Sequence, residues 1–483
     1  MDDQLPRPPM PVVPPPNPFL SLPPELKQSI FSALPNAGAL RSLVLACSSF
    51  YRTFLDAESL IIRSVLYTQI GSDLLNDAVI VFQSRALDQH DEEAAIELLK
   101  SYTRRDTRCM SQIWRLRDAL AIGDLHGDIE FFCRGFAASA LSIHPVTGVE
   151  ETSPSPLSLL ESNRIKRTLY RYELFCNIFR KLGMLQDIQA TPETPQSIFF
   201  SSCAPWENEQ LACVRAYILE RFSLRACSEN LYPLYDKLTI SAFCDVAEHD
   251  IECGSWEMRG SDGVDGFNDW KEHYLSLGLA YLRQMVNTSA FDDRCHLLKT
   301  HKEDPDCSLF DALMIQGDGN DPSHLDTYTE EDEHRYIPPQ RAIDSDKGPE
   351  EAWRWAYAAY TNQYWYNMSD QMALRQRGYV MWDSIRLAKW GLLDLDELPR
   401  EPPREPIVTE EQIRRDREIS ASFEERQRIW NQGGRGWWSA GDESRIVWPP
   451  SGPPKPPKPM GPRRSWSNKD VWVADMQTWR MTL

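Results

Sequence analysis

The sequence predicts a mostly α-helical protein. Three short N-terminal helices precede an irregular multi-helix body, with a Pro-rich arm before them and a Trp- and Pro-rich tail at the end. Two observations carry this. Apolar residues recur every three or four positions through most of the chain, the period of a helix face, while alternating runs are scarce and no Asn-Gly hairpin signal occurs. Twenty of the 35 prolines fall within residues 1–20 and 399–483, leaving a central stretch long enough to bury a large core as one or two domains. No fixed-period repeat is present, so a solenoid of the known types is not expected.

Residues 1–20 (RPPMPVVPPPNPF within them) favour extended polyproline conformation and predict a disordered arm. From Ser21 the pattern turns helical: Leu22, Leu26, Ile30 and Leu34 recur every four residues. Pro23 suits a first helical position, Glu25 favours the first turn, and Pro35-Asn36 ends the helix. A second helix fits 38–46 and a third 48–70, giving an N-terminal module over 21–70. In the body, 71–430, helices are predicted near 72–87, 90–103, 108–121, 126–142, 157–182, 206–223, 230–247, 268–289, 351–366, 378–393 and 408–430. The clearest is 157–182, where Ile165, Leu169, Tyr172, Phe175, Phe179 and Leu182 form one face and Arg164, Arg167, Arg171 and Lys181 the opposite one. Residues 248–267 read as irregular. Residues 301–350 hold fourteen acids against four Lys plus Arg and predict a long acidic loop, solvated or facing a basic partner. The tail, 431–483, holds Trp437, Trp438, Trp448, Trp466, Trp472 and Trp479, and is expected to dock indoles onto the helical body.

Composition excludes several classes. Of 483 residues, 42% are hydrophobic and 25% charged, which is globular and neither collagen-like nor wholly disordered. No apolar run approaches the roughly 20 residues that span a bilayer, and the first ten residues lack a secretory h-region. Eleven scattered cysteines without a CxxC pair suit reduced thiols in cytoplasm or nucleus. A net charge of −19 disfavours nucleic acid as the main partner.

Residues 22–54 carry the sharpest pattern: Leu22-Pro23, Glu25-Leu26, Ile30-Phe31, Leu34-Pro35, Leu40, Leu43, and Ala46-Cys47 followed by Phe50. This stretch resembles the F-box family, with Phe50 where a Trp or another aromatic is usual. The resemblance covers under a tenth of the chain. Stretches at 161–181, 205–218 and 377–391 look like those of large F-box-like proteins of filamentous fungi, which bring no activity with them. Physically, Leu22, Leu26, Ile30, Phe31, Leu34 and Leu43 offer more apolar surface than three short helices can cover, and partner helices would cover it. The resemblance implies that the partner is the Skp-type adaptor of a cullin–RING ubiquitin ligase, bound through Leu22, Pro23, Leu26, Ile30, Phe31, Leu34 and Leu43. The chain would then be a non-catalytic substrate receptor, needing no cofactor or metal, whose body holds a protein target. The alternative is a self-contained helical protein whose N-terminal helices are simply core.

Other motifs are weaker. GDLHGD at 123–128 imitates the metallophosphoesterase opening, with Asp124 and His126 as ligands, but the strand before it and the later metal motifs are missing. The expected structure there is a helix–turn–helix, Gly123 ending one helix and Asp124 capping the next. Cys244, His249 and Cys253, with Cys295, His296, His301 and Cys307, are spaced too loosely for a zinc site. Residues 316–326 lack the Gly and terminal Glu of an EF-hand loop. Pro459 to Arg464 fits a PxxPxR ligand, for which a linker is the commoner explanation. No GxSxG, P-loop, dinucleotide fingerprint or HExxH occurs.

Overall fold

Helix dominates the computed structural model, which describes residues 18–104, 114–182, 194–201, 203–222, 249–251, 272–301, 307–309, 311–313, 344–358, 374–395 and 410–450. The chain divides into two compact units, residues 1–246 with 257–407, and residues 247–256 with 408–483. The protein is mostly α-helical, and the one small sheet among the described residues has two strands.

The first unit opens with a 3-10 turn at Pro18–Ser21. These last residues of the expected disordered arm are folded because the Lys27 ammonium donates to the Leu20 carbonyl at 3.0 Å; residues 1–17 lie outside the described set. Helix α1 (Pro24–Ser32) begins one residue later than expected, with Pro23 as the N-cap and Glu25 in the first turn. Asn36 caps α2 (Ala37–Val44) by accepting from the Ala39 amide at 2.8 Å. The single helix expected over 48–70 is two: α3 (Ser48–Leu55) and α4 (Glu58–Ile70). The Ala57 amide turns back to the Phe54 carbonyl and closes α3, so the chain redirects without Pro or Gly.

Gly71, at φ 90°, occupies the left-handed region that favours glycine and starts α5 (Ser72–Ser84). Asp91 caps α6 (Glu92–Thr103) through the Ala94 amide. The two helices expected at 108–121 and 126–142 are one, α7 (Leu116–Ala140), whose 25 residues span about 37 Å. Gly123 does not end a helix. It sits mid-helix, where a Cβ would lie 3.1 Å from the Gln69 side chain. Gln69 in turn accepts from the Ala37 amide at 3.1 Å, so α2, α4 and α7 meet there.

Helix α8 (Leu159–Leu182) is the centre of the unit and packs on α5, α7 and on α10 (Pro205–Phe222), which follows α9 (Pro195–Ser201). The spacing of its apolar face is as expected. Its cationic side is not a wet one: Arg164 and Arg171 are buried with Tyr170, Tyr172 and Phe175. Gly278, again at φ 90°, interrupts the helix expected over 268–289, so α11 (Leu279–Asn287) starts after it. A Cβ on Gly278 would lie 2.8 Å from the Glu173 carboxylate, which accepts from the Leu279 amide at 2.7 Å. Helices α12 (Phe291–Thr300), α13 (Gly348–Ala358) and α14 (Ser384–Trp390) follow among the described residues of the unit. Of the helix expected over 378–393 only α14 forms, because Asp383 before it is extended and Gly391 stops it in the left-handed conformation.

In the second unit, α15 (Glu410–Asn431) leads into strands β1 (Arg435–Gly436) and β2 (Ile446–Val447), paired antiparallel. Ile251, Ile429, Trp438 and Ile446 form its buried core, with Trp430 and Trp448 packed against it. Trp438 therefore docks within this small unit. Trp466, Trp472 and Trp479, the expected helix at 230–247, most of the acidic stretch and the PxxPxR sequence lie outside the described residues.

Candidate functional site

Helix α1 shows two adjacent stripes. It packs on α3 and α4 through Lys27 and Phe31, which are buried. Phe31 meets Phe50 of α3 edge to face at 5.8 Å, Gln28 donates to the Thr53 carbonyl at 3.1 Å, and the Ser64 hydroxyl of α4 donates to the Ser32 carbonyl at 3.1 Å. One residue per turn away runs the stripe that the sequence singled out. There Leu26 is 51% exposed, and Leu22, Ile30 and Leu34 are half-buried. Pro23 is exposed and Leu43 half-buried; of the seven singled-out residues Phe31 alone is buried.

An open groove of about 690 Å³ lies between Glu25, Gln28 and Ser29 of α1, Ala33 just after it, and Leu60 and Ser64 of α4; none of the seven singled-out residues lines it. Leu60 on its rim is 73% exposed. Phe19, Leu20, Leu45, Tyr51, Leu55 and Tyr67 are also exposed, so most of the large exposed apolar side chains among the described residues lie before residue 70. Lone surface leucines are ordinary, but eight such side chains fall within residues 19–67.

GDLHGD holds no such site. Asp124 and His126 are two positions apart on one continuous helix, and so project about 200° apart. Asp124 is exposed, whereas His126 is buried, its Nδ1 2.7 Å from the Tyr170 hydroxyl and its Nε2 3.4 Å from Glu130. The His126 hydrogen bond, with Lys166 at 2.5 Å, holds the Glu130 carboxyl at about 2 against the opposing effect of burial. Asp128 pairs with Arg283 at 2.8 Å. Among the described residues no group of three His, Cys, Asp or Glu side chains is placed to hold a metal ion. Burial pushes the Cys133 thiol up to about 11 and the Cys176 and Cys213 thiols well above their usual range, which makes poor nucleophiles of them.

Sequence reasoning missed a buried ionic clamp on α8. Arg164 donates to Asp344 at 2.6 Å and Asp383 at 3.2 Å, and to the Met381 carbonyl. Glu161, 1% exposed, takes Arg386 in a two-point bond at 2.7 Å on each oxygen, and accepts from the amides of Ser158 and Asp383. Asp346 accepts from the amide and hydroxyl of Ser384, both at 2.8 Å. Burial works against the Glu161 and Asp346 charges, but these hydrogen bonds outweigh it and hold both carboxyls below their ordinary values. Asp344 and Asp346 are thus structural anchors, not the solvated loop acids expected over 301–350. The one available signal was the buried-looking phase of Glu161, Ile165 and Leu169 on α8.

Comparison of the chain with protein-family models, with curated proteins and with solved structures finds no match.

Proposed function

We propose that the chain is a non-catalytic substrate receptor of a cullin–RING ubiquitin ligase. The F-box-like helices α1–α3 would dock on a Skp-type adaptor, itself bound to the cullin, in the cytoplasm or nucleus, while the body holds a protein target. The chain's contribution is proximity: a tethered target meets the ubiquitin thioester at raised effective concentration. The observation that supports this reading best is the Leu26 stripe, left open although α1 buries the neighbouring Lys27 and Phe31. The F-box resemblance supplies the identity of the adaptor.

Capture of a purified Skp-type adaptor by the full chain tests the reading. Leu26→Asp replaces an exposed side chain in the first helical turn, where an acid is tolerated, so the fold is kept. Loss of capture with an unchanged melt is expected. An adaptor that ignores the wild-type chain, or binds the variant equally, overturns the reading.

The second reading, a self-contained protein with these helices as core, draws on a different observation. Leu40, Val44, Phe50 and Phe54 are buried, and α2 and α4 pack on α7. Removing residues 1–70 would strip α7 of this cover under either reading, so a point substitution discriminates where truncation does not.

A further inference from the structure

A second surface lies on the body. Among the described residues, Ile385 of α14 is the most exposed large apolar side chain, at 81%. It borders a groove of about 410 Å³ between α13 and α14, lined by Leu387, Ala388 and Leu393 and by the carboxylates of Glu351 and Asp394. The volume falls within the range of small-ligand and peptide pockets.

Two features make this more than a stray surface residue. The platform is rigid: α14 has only seven residues, too few to hold itself, yet each end is fixed from outside. Asp346 accepts from Ser384, Arg164 from α8 holds Asp383, Glu161 clasps Arg386, and the neighbouring Trp355 indole of α13 donates to the Leu395 carbonyl at 3.2 Å. Ile385 and Ala388 are thereby presented outward on a preorganised turn. The groove is also electrostatically one-sided. Among the described residues the nearby guanidiniums are paired, Arg386 with Glu161 and Arg354 with Glu350 at 2.9 Å, and the exposed Lys389 is directed to the Ser155 hydroxyl at 3.3 Å. Glu351 and Asp394 are left as the charges that face an occupant.

We propose that this groove takes an extended peptide segment of the target protein, one that places an aliphatic side chain beside a lysine or arginine. The aliphatic group packs on Ile385 and Leu393, and the cation meets the two carboxylates. Calling the occupant a ligase target rests on the receptor reading above; the groove and its preference do not.

A library of random dodecapeptides displayed on phage, selected on the full chain, tests it. The expected enrichment is an aliphatic residue adjacent to Lys or Arg, absent when Ile385→Asp is the bait; that variant alters an exposed side chain and keeps the wild-type melting point. A fluorescent copy of an enriched peptide is expected to bind Glu351→Gln/Asp394→Asn at least tenfold more weakly, with little remaining salt dependence. No enrichment, the same enrichment on Ile385→Asp, or enrichment without a cation overturns the proposal. So does enrichment that appears only after residues 396–409 are deleted, which would make that segment of this chain the occupant. Leu26→Asp is expected to bind the peptide as wild type does. Peptide binding without adaptor capture therefore sinks the ligase reading alone, and adaptor capture without peptide binding sinks the groove alone.

Discussion

Glu161 offers the sharpest quantitative test of the clamp. The carboxylate is buried and accepts four hydrogen bonds, two from Arg386 and one each from the amides of Ser158 and Asp383. Glu161→Gln keeps one acceptor oxygen but turns an NH2 toward donors and removes the charge. Breaking a buried pair by removing one partner costs about 3–5 kcal/mol. Arg386 keeps the Ser155 and Pro156 carbonyls, so the low end, about 3 kcal/mol, is expected. Arg386→Leu is expected to cost a similar amount. The double variant should cost well under the sum, with a coupling energy of about 2 kcal/mol. Urea unfolding followed by circular dichroism measures each value, with an unchanged slope certifying that stability alone has moved. The sign with pH is fixed as well. A carboxyl held below its unfolded value stabilises above the ordinary carboxylate range and loses that contribution as pH falls through the folded value. The gap between wild type and Glu161→Gln should therefore close in acid. A cost of less than about 0.5 kcal/mol at neutral pH, the level of an ordinary surface change, would show that the carboxylate clamps nothing.

Further expectations concern the N-terminal surface and α7. Phe31→Ala should cost about 3–5 kcal/mol and Leu26→Ala almost nothing, read by thermal melts of the two variants side by side. Gly135→Ala would press a methyl group into the Tyr217 hydroxyl, for a loss of about 1–3 kcal/mol, and Tyr217→Phe should recover much of it in the double variant. Lys27→Met removes the donor that holds the Leu20 carbonyl, so faster amide exchange is expected over residues 18–23 with little change elsewhere. Glu130, held at about 2, should give wild type an acid-side loss of stability between roughly pH 4.5 and 2 that Glu130→Gln lacks, seen in melts stepped across that range.

Helix-rich architecture was legible because it rests on local period. The start of α1 beside Pro23, its end ahead of Pro35-Asn36, and the five-turn face of α8 needed no tertiary information. Other features did not. The break at Asp56-Ala57 carries no Pro or Gly, and the continuity of α7 was masked by Gly123, which read as a stop although it admits the Gln69 side chain. Charges on α8 read as solvent-facing because their partners lie far away in sequence: Asp344 is 180 residues from Arg164, and Arg386 is 225 from Glu161. At the candidate surface, period four identified the Leu22, Leu26, Ile30 and Leu34 stripe. It could not say which of two neighbouring stripes turns inward, since the buried neighbour includes a lysine.

The small core of the second unit has a consequence for biosynthesis. His249 hydrogen-bonds to the Trp438 carbonyl across 189 residues, and Ile251 packs beside that indole. At about 5–20 residues per second, a ribosome takes roughly ten to forty seconds to deliver the second half of that contact. Throughout that interval the native cover of Ile251 by Trp438 cannot form. A message truncated before codon 429 would release a product that lacks Ile429, Trp438 and Ile446, all the other buried members of that core.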